Sequence, residues 1–529
     1  VRPLTGIPAV ELPSEIRPAV CYTKGIGQPT YASLQKWKFI QVVGLLPKSY
    51  PYSFKYDLDR DYLQLLRAVD YRVPDNFAPS ERNLHLEIDR LKEVDYQQKD
   101  FSDIDHDHAF MAAQWTVMHL CAAVPLADRR PLSSLEEARD MFLLTEPKSR
   151  LGSPGYRAKA SGLTTKAEAY NDPVEFARCL AYDESLSTNE PIDAIWEFNL
   201  KDEILKRAKI DNRETRLYKV APDEHHLSCY KLFAPFSKAI AEQDHRDHFF
   251  TVGMPFEYGG WNQIMNRRRL PYSYNLCSDA KGYDISICNF LFAYACYVMQ
   301  QLVPGHDLEI WNLFCAAVHT LVVTGGGDLL YTHTGNPSGW YLTLLINTVI
   351  QMILFGVSWI RACLSIDVAP TYSNFMDHVR ANLLGDDSVV SIREDCLYFF
   401  NKDVVAEIWL YFGIFLKTQE VHYRLVDCEY CGATSIDVGG TLVRRPRVDK
   451  FLCALKYTKD QSPLYRFQRA CAIRTLLWPV PEACALLTEW CYRLAHLYPH
   501  DIRSIDVASS MKPDCDMAYL HTGMVGNVL

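Results

Sequence analysis

Two adjacent carboxylates, Asp386 and Asp387, stand in Leu384-Gly385-Asp386-Asp387-Ser388, between the apolar run Ala381 to Leu384 and the β-branched run Ser388 to Ile392. Strand, glycine turn and strand make a tight hairpin with both acids at its tip. A Gly-Asp turn is ordinary in hairpins and carries no chemistry alone. A second stretch, Ser278-Asp279-Ala280-Lys281-Gly282-Tyr283-Asp284, closes another strand-like run, so Asp279 can meet the hairpin acids at neighbouring strand ends. Three clustered carboxylates supply the hard oxygen ligands that a pair of divalent cations takes.

Other elements must position these acids. Gly335-Asn336-Pro337-Ser338-Gly339 reads as a loop feeding the uncharged run Trp340 to Ile360. That run is long enough to imitate a membrane span. Its polar members Thr343, Asn347 and Gln351 recur every four residues, which predicts a buried helix with one polar stripe. Gly339 permits close backbone approach, and Thr343 and Asn347 point to whatever the loop embraces. The charged stretch Lys201 to Tyr218 is either a solvated hairpin with internal ion pairs or an extended basic lining for a triphosphate. Gly325-Gly326-Gly327 lacks the Gly-Lys-Ser/Thr ending of a phosphate loop and is a turn.

The chain of 529 residues is 48% apolar, enough for a large core. A net charge of -9 excludes a protein that is basic everywhere. Nucleic-acid binding must then rest on local patches such as Lys201 to Arg216, Arg267-Arg268-Arg269 and Arg444-Arg445-Pro446-Arg447. The 17 cysteines are mostly scattered through apolar runs, as a reduced intracellular chain has them. Cys428 and Cys431 have metal-ligand spacing but no second ligand pair. The start at Val1 suggests a piece processed from a longer precursor or a trimmed one, and no signal segment is visible.

Residues 1 to about 80, rich in proline and aromatics, read as an extended arm. Helical patterns follow at Ser80 to Glu93, at Phe101 to Ala123 and after a capped start at Ser134. Ser149 to Tyr156 is a loop. Ile285 to Leu302 and Leu308 to Val323 are helix-like, as is Lys402 to Leu416 with its end near Gly413. Gly440 to Arg445 is strand-like, and Pro463 to His500 is helical with a break at Pro479 and Pro481.

The order and spacing of these pieces resemble the RNA-dependent RNA polymerases of positive-strand RNA viruses, in the picornavirus-like group, with the branch left open to calicivirus-like or astrovirus-like relatives. The resemblance runs from Gly152 to the C-terminal helices. Gly152 to Tyr156 resembles the family's motif G, Lys201 to Arg216 motif F, Asp279-x4-Asp284 motif A, Ser338-Gly339-x3-Thr343-x3-Asn347 motif B, and Gly385-Asp386-Asp387 motif C. Leu384 stands where the family usually has Tyr. Motif D's acid falls on His422 or Lys417. Motif E resembles Leu442-Val443-Arg444-Arg445, with Phe451-Leu452-Cys453 as the competitor.

The resemblance implies an α/β (α+β) right hand of fingers, palm and thumb, closed by fingertips on the thumb, with an antiparallel palm sheet flanked by helices. Its implied divisions are residues 1–232, arm and fingers; 233–286, palm; 287–336, fingers insertion; 337–448, palm; 449–529, thumb. It implies template-directed RNA synthesis with two divalent ions, Mg²⁺ or Mn²⁺, on Asp279, Asp386 and Asp387, and with His422 or Lys417 as general acid. Lys201, Lys209, Arg216, Asp284, Ser338, Thr343 and Asn347 would bind the NTP; Ser153, Pro154, Gly155, Gly339, Arg444 and Arg445 would bind RNA. Implied partners are the RNA template and primer, a protein primer and other viral replication proteins. The implied location is host cytoplasm, at membrane-associated complexes reached through partners, with no membrane span in this chain. The competing readings are a reverse transcriptase and an inactive palm serving as an RNA-binding scaffold.

Overall fold

Four antiparallel strands carry the acidic stretches in the computed structural model, which describes residues 32, 35–48, 56–95, 103–242, 248–266, 270–333, 335–502 and 510–524. Their order is Val379–Leu384, Asp387–Arg393, Ser273–Ala280, Leu416–His422. Side chains alternate across a strand, and here both faces find a core. Leu276, Ala381, Leu383, Val390 and Ile392 enter the main apolar cluster, while Cys277 and Val389 enter a smaller one with Trp261, Cys428 and Leu442. Two buried faces fix the register, because a slip of one residue would exchange them.

The uncharged run forms the helix Thr343–Leu364, 89% buried over its most apolar window, so it is an interior helix of the fold. It packs on Asp103–Ala123 on one side and Lys402–Tyr411 on another. A second, mixed sheet orders Gln41–Leu45, Asp328–His333, His319–Val323, Ile195–Leu200 and Leu217–Val220. Only the Ile195 and His319 strands of this sheet run parallel.

The C-terminal helices Pro463–Leu476 and Pro481–Leu497 form a separate apolar cluster that includes Tyr62, Leu65 and Leu66 from near the N-terminus. Arg466 clamps that junction, with Nε 2.8 Å and Nη2 2.6 Å from the two oxygens of Asp59. Both partners are nearly buried, and removing one partner of such a pair costs about 3–5 kcal/mol.

Three sequence expectations change. The first 80 residues hold a helix, Arg60–Ala68, capped by Asp59 and burying Tyr62, Leu65 and Leu66 at helical spacing; residues 1–31 lie outside the described residues, as does Arg267-Arg268-Arg269. Leu308 to Val323 is a helix only to Val318; the β-branched end continues as the strand His319–Val323 because it completes the mixed sheet. The basic stretch is not extended throughout, since Arg207–Asp211 is a short helix between strands. The break in the C-terminal helices at Pro479 and Pro481, and the capping of a helix by Ser134, follow the sequence.

Candidate active site

The hairpin turn is Gly385-Asp386, with Leu384 paired to Asp387 across it. Gly385 has φ +65°, which a two-residue hairpin loop asks of its first position. Its N–H donates to Thr348 Oγ1 at 2.9 Å, tying the turn to the buried helix. On the next strand Ser388 pairs with Ser278, which sets Asp387 opposite Asp279 one step further along. Asp386 projects from the tip and is exposed; Asp387 is half-buried.

These acids repel one another. Although the Asp386 side chain reaches solvent, desolvation by the surrounding chain is the first cause that raises its carboxyl above the usual range, and Asp284 and Asp279 add to it. Asp387 is pushed up to about 7, chiefly by burial and then by Asp386, Asp279 and Glu429, against a backbone hydrogen bond from Cys431 that favours the charged form. Asp279 has its own counter-charge, as Lys417 Nζ lies 2.6 Å from Oδ2. Two carboxyls raised by burial and by neighbouring acids, with Asp279 beside them, bring hard oxygen donors together at the strand ends, a donor set suited to divalent cations.

Asp284 lies within a short turn of helix, Tyr283–Ser286, that opens on a left-handed Gly282 and brings it beside the Gly335–Gly339 loop. Its Oδ1 accepts from Asn347 Nδ2 at 2.6 Å and its Oδ2 from the Ser338 hydroxyl. Asn336 Nδ2 donates to Asn347 Oδ1 at 2.7 Å, which fixes the amide's orientation, and Trp340 Nε1 donates to Asn336 Oδ1 at 2.8 Å. This carboxylate, amide and hydroxyl set is half-open to solvent and presents polar groups to a ligand hydroxyl.

Lys201 and Arg216 face the acids across the cleft. Their electrostatic neighbours include Asp284 and Asp386. Burial and the nearby Arg216 push the Lys201 ammonium down, while hydrogen bonding to Glu203 pushes Arg216 up. Arg216 Nε lies 2.7 Å from Glu203 Oε1, so Glu203 holds the guanidinium until an anionic ligand competes for it.

Several expected site residues have other duties. His422 pairs with Asn275, four positions along the strand from Asp279, so it lies roughly 13 Å away at 3.3 Å per residue; Lys417 is the cation beside the acids. Thr343 Oγ1 donates to Pro337 O at 2.6 Å and shapes the Ser338 loop, so its hydroxyl is spent on the chain itself. Arg444 lies over the rings of Phe256 and Trp261, at 4.6 and 5.8 Å, and donates to Cys431 O at 3.1 Å; Arg445 is exposed.

Pro154 and Gly155 are buried, with Gly155 at φ +85° and an added Cβ only 3.0 Å from Pro222 Cα. Of the three expected RNA contacts in that loop, Ser153 is the half-exposed one. Gly339 is pressed against the Leu217–Val220 strand, where a Cβ would sit 2.5 Å from Lys219 O. Lys209 is exposed on its short helix. Phe451-Leu452-Cys453 lies within the helix Val448–Leu455, with Leu452 and Cys453 buried, whereas Leu442 to Arg445 forms a hairpin strand. Asn336, Thr348, Glu203 and the Cys431 amide were not among the expected site residues; Asn336 had a signal in its place beside Pro337 and Ser338, and Glu203 in the internal ion pairs expected of its stretch.

Adjoining strand ends bearing three acids, a carboxylate, amide and hydroxyl set at their side and the basic pair Lys201 and Arg216 opposite can gather divalent cations and a triphosphate, the chemistry of a polynucleotide polymerase. The family model described as viral RNA-dependent RNA polymerase matches residues 88–477, and the chain belongs to that family. Similar curated proteins are genome polyproteins. That of Pea seed-borne mosaic virus is 22% identical over 317 residues, covering 58% of this chain and 9% of the relative. That of Bean yellow mosaic virus is 23% identical over 293 residues, covering 54% and 9%. That of Ornithogalum mosaic virus is 22% identical over 292 residues, covering 54% and 25%. The chain thus matches about a tenth of the length of the first two relatives.

Proposed function

We propose that the chain synthesises RNA on an RNA template, transferring nucleotidyl groups from NTPs to a 3′ hydroxyl during replication and transcription of a positive-strand RNA genome. The convergence of Asp279, Asp386 and Asp387 at neighbouring strand ends of the four-stranded sheet carries this reading. These residues would hold two divalent ions, Mg²⁺ or Mn²⁺, which when bound acidify the attacking hydroxyl and neutralise the leaving pyrophosphate.

The protein's own residues do the rest. Lys201 and Arg216 attract the triphosphate, and phosphate binding releases Arg216 from Glu203. Asp284, Asn347 and Ser338 take the ribose 2′ hydroxyl, so a deoxyribose leaves polar groups unpaired. Lys417 donates a proton to the departing pyrophosphate. Arg445, Ser153 and the backbone around Gly339 contact RNA through its sugar and phosphate, since base pairing with the template supplies the sequence.

In this reading the four-stranded sheet and its helices are the palm of a right hand, formed by residues 233–286 and 337–448. Residues 1–232 and 287–336 make the fingers, and residues 449–529 the thumb. Closure of fingers on thumb is supported by the ion pair of Asp202 with Lys459 and by Arg207 Nη2 3.4 Å from Tyr457 Oη. The chain works in host cytoplasm beside membranes reached through other replication proteins, within a picornavirus-like group that takes in the plant-virus relatives.

The test is synthesis on a defined RNA, with and without primer, offering NTPs or dNTPs, by the unmutated chain and Asp386→Ala. Incorporation of NTPs that Asp386→Ala abolishes, with RNA binding retained, is the expected result. No synthesis by the unmutated chain with Mg²⁺ or Mn²⁺ would sink the proposal, and preference for dNTPs would favour a reverse transcriptase.

A further inference from the structure

The acid hairpin has an open end opposite its tip. His378 immediately precedes the strand Val379–Leu384, and Asp395 and Cys396 follow the strand Asp387–Arg393. Because Val379 pairs with Ile392, the three side chains converge there, with one ligand atom from each lying within 4.8 Å of the others. Imidazole nitrogen, thiol sulfur and carboxylate oxygen form a donor set unlike the all-oxygen set at the tip.

The surroundings orient the imidazole and the carboxylate, while burial and the adjacent Asp395 push the Cys396 thiol up to about 12, so a bound ion has to displace its proton. His378 Nδ1 lies 2.8 Å from Asn374 O. A carbonyl only accepts, so Nδ1 carries the proton and Nε2 of the neutral ring keeps its lone pair. A backbone acceptor on the far nitrogen is how metal-ligating imidazoles are oriented. Trp359 stacks on the ring at 5.7 Å and 28°, which holds its plane. Cys396 is 3% exposed, and its Sγ lies 3.5 Å from Asp395 Oδ1. Arg393 donates to the other oxygen, Oδ2, and so anchors the carboxylate while leaving Oδ1 turned to the thiol.

We infer that the open end of the hairpin is a tetrahedral transition-metal site for Zn²⁺, held by His378 Nε2, Cys396 Sγ and Asp395 Oδ1 with water in the fourth place. Zinc bonds of about 2.0–2.3 Å put tetrahedral ligands roughly 3.3–3.8 Å apart. Cys396 Sγ and Asp395 Oδ1, at 3.5 Å, already have that spacing, and a shift of up to about 1 Å brings the His378 ring to it. On binding, the thiol gives its proton to solvent, so occupancy rises with pH. The ion would pin the base of the hairpin whose tip carries Asp386 and Asp387, at a distance of about 20 Å set by six residues of strand. The inference stands apart from RNA synthesis, and its failure would leave that proposal untouched.

The test is a titration of the chelator-treated full chain with Co²⁺ as a visible stand-in for Zn²⁺. One equivalent should give thiolate charge-transfer absorption in the near ultraviolet and strong tetrahedral ligand-field bands, both bleached by Zn²⁺. Cys396→Ser and His378→Gln should lose these signals while keeping the far-ultraviolet circular dichroism of the unmutated chain. Asp386→Ala, altered only at the tip, should keep them. An unmutated chain with no sulfur charge-transfer band overturns the inference even if a variant fails to fold, as does a folded His378→Gln that binds Co²⁺ unchanged.

Discussion

Replacing Asn347 with Ala removes one contact from the hydroxyl-reading set and leaves the metal acids alone. Asn347 is 4% exposed and gives Asp284 Oδ1 a hydrogen bond of 2.6 Å. It is held in turn by Asn336 at 2.7 Å. The truncation therefore loosens Asp284 and strands part of the Asn336 amide, which retains Thr343 O at 3.2 Å. A hydrogen bond to a charged group contributes about 1.5–3 kcal/mol, and an unsatisfied buried polar group costs about 1–3. A loss of about 1–3 kcal/mol in discrimination equals roughly 5- to 150-fold in selectivity. The assay is kcat/KM for UTP and for dUTP on a primed poly(A) template. The expected result is a fall in the ratio within that range, mostly through a smaller value for UTP. If Asn347→Ala slows both substrates equally and leaves the ratio within twofold of the unmutated chain, the triad does not read the 2′ hydroxyl.

Lys417→Met should lower the rate of incorporation about 10²- to 10⁴-fold, the range of a lost general acid, whereas His422→Ala should stay within a few-fold; single-turnover rates measure both. Asp387 has its folded pKa raised to about 7. Its ionisation therefore weakens the fold progressively as pH rises from the unfolded value near 4 to 7, with the full penalty above 7. In chelator, Asp387→Asn should accordingly raise Tm at pH 8 and leave it nearly unchanged at pH 3.5, and an equal shift at both would contradict the electrostatic account. Gly339→Ala would force a methyl to 2.5 Å from Lys219 O. It should cost about 1–3 kcal/mol by denaturant unfolding and depress activity by displacing Ser338.

The chemistry of the site was legible in the chain because strand ends and turns are written locally. Gly385 between two β-forming runs sets the hairpin, and alternation on either side sets which residues face the core. The uncharged run likewise announced a helix, with Asn347 on its polar stripe. Short-range patterns also placed the cap at Ser134 and the break between the C-terminal helices.

Competition between distant partners was not legible. The resemblance put the motif D acid on His422 with Lys417 as the alternative, and the antiparallel register separates them, because Lys417 meets Asp279 and His422 meets Asn275. Arg444 and Arg445 are neighbours of one type, yet strand geometry stacks the first on Phe256 and Trp261 and exposes the second. His378 and Cys396 carried no signal either, for only the pairing of Val379 with Ile392 brings them together. The sequence alone therefore determined which groups could act, through local rules of turn, period and cap. The tertiary structure decided which of them meet, since register and burial are settled by contacts between segments far apart in the chain.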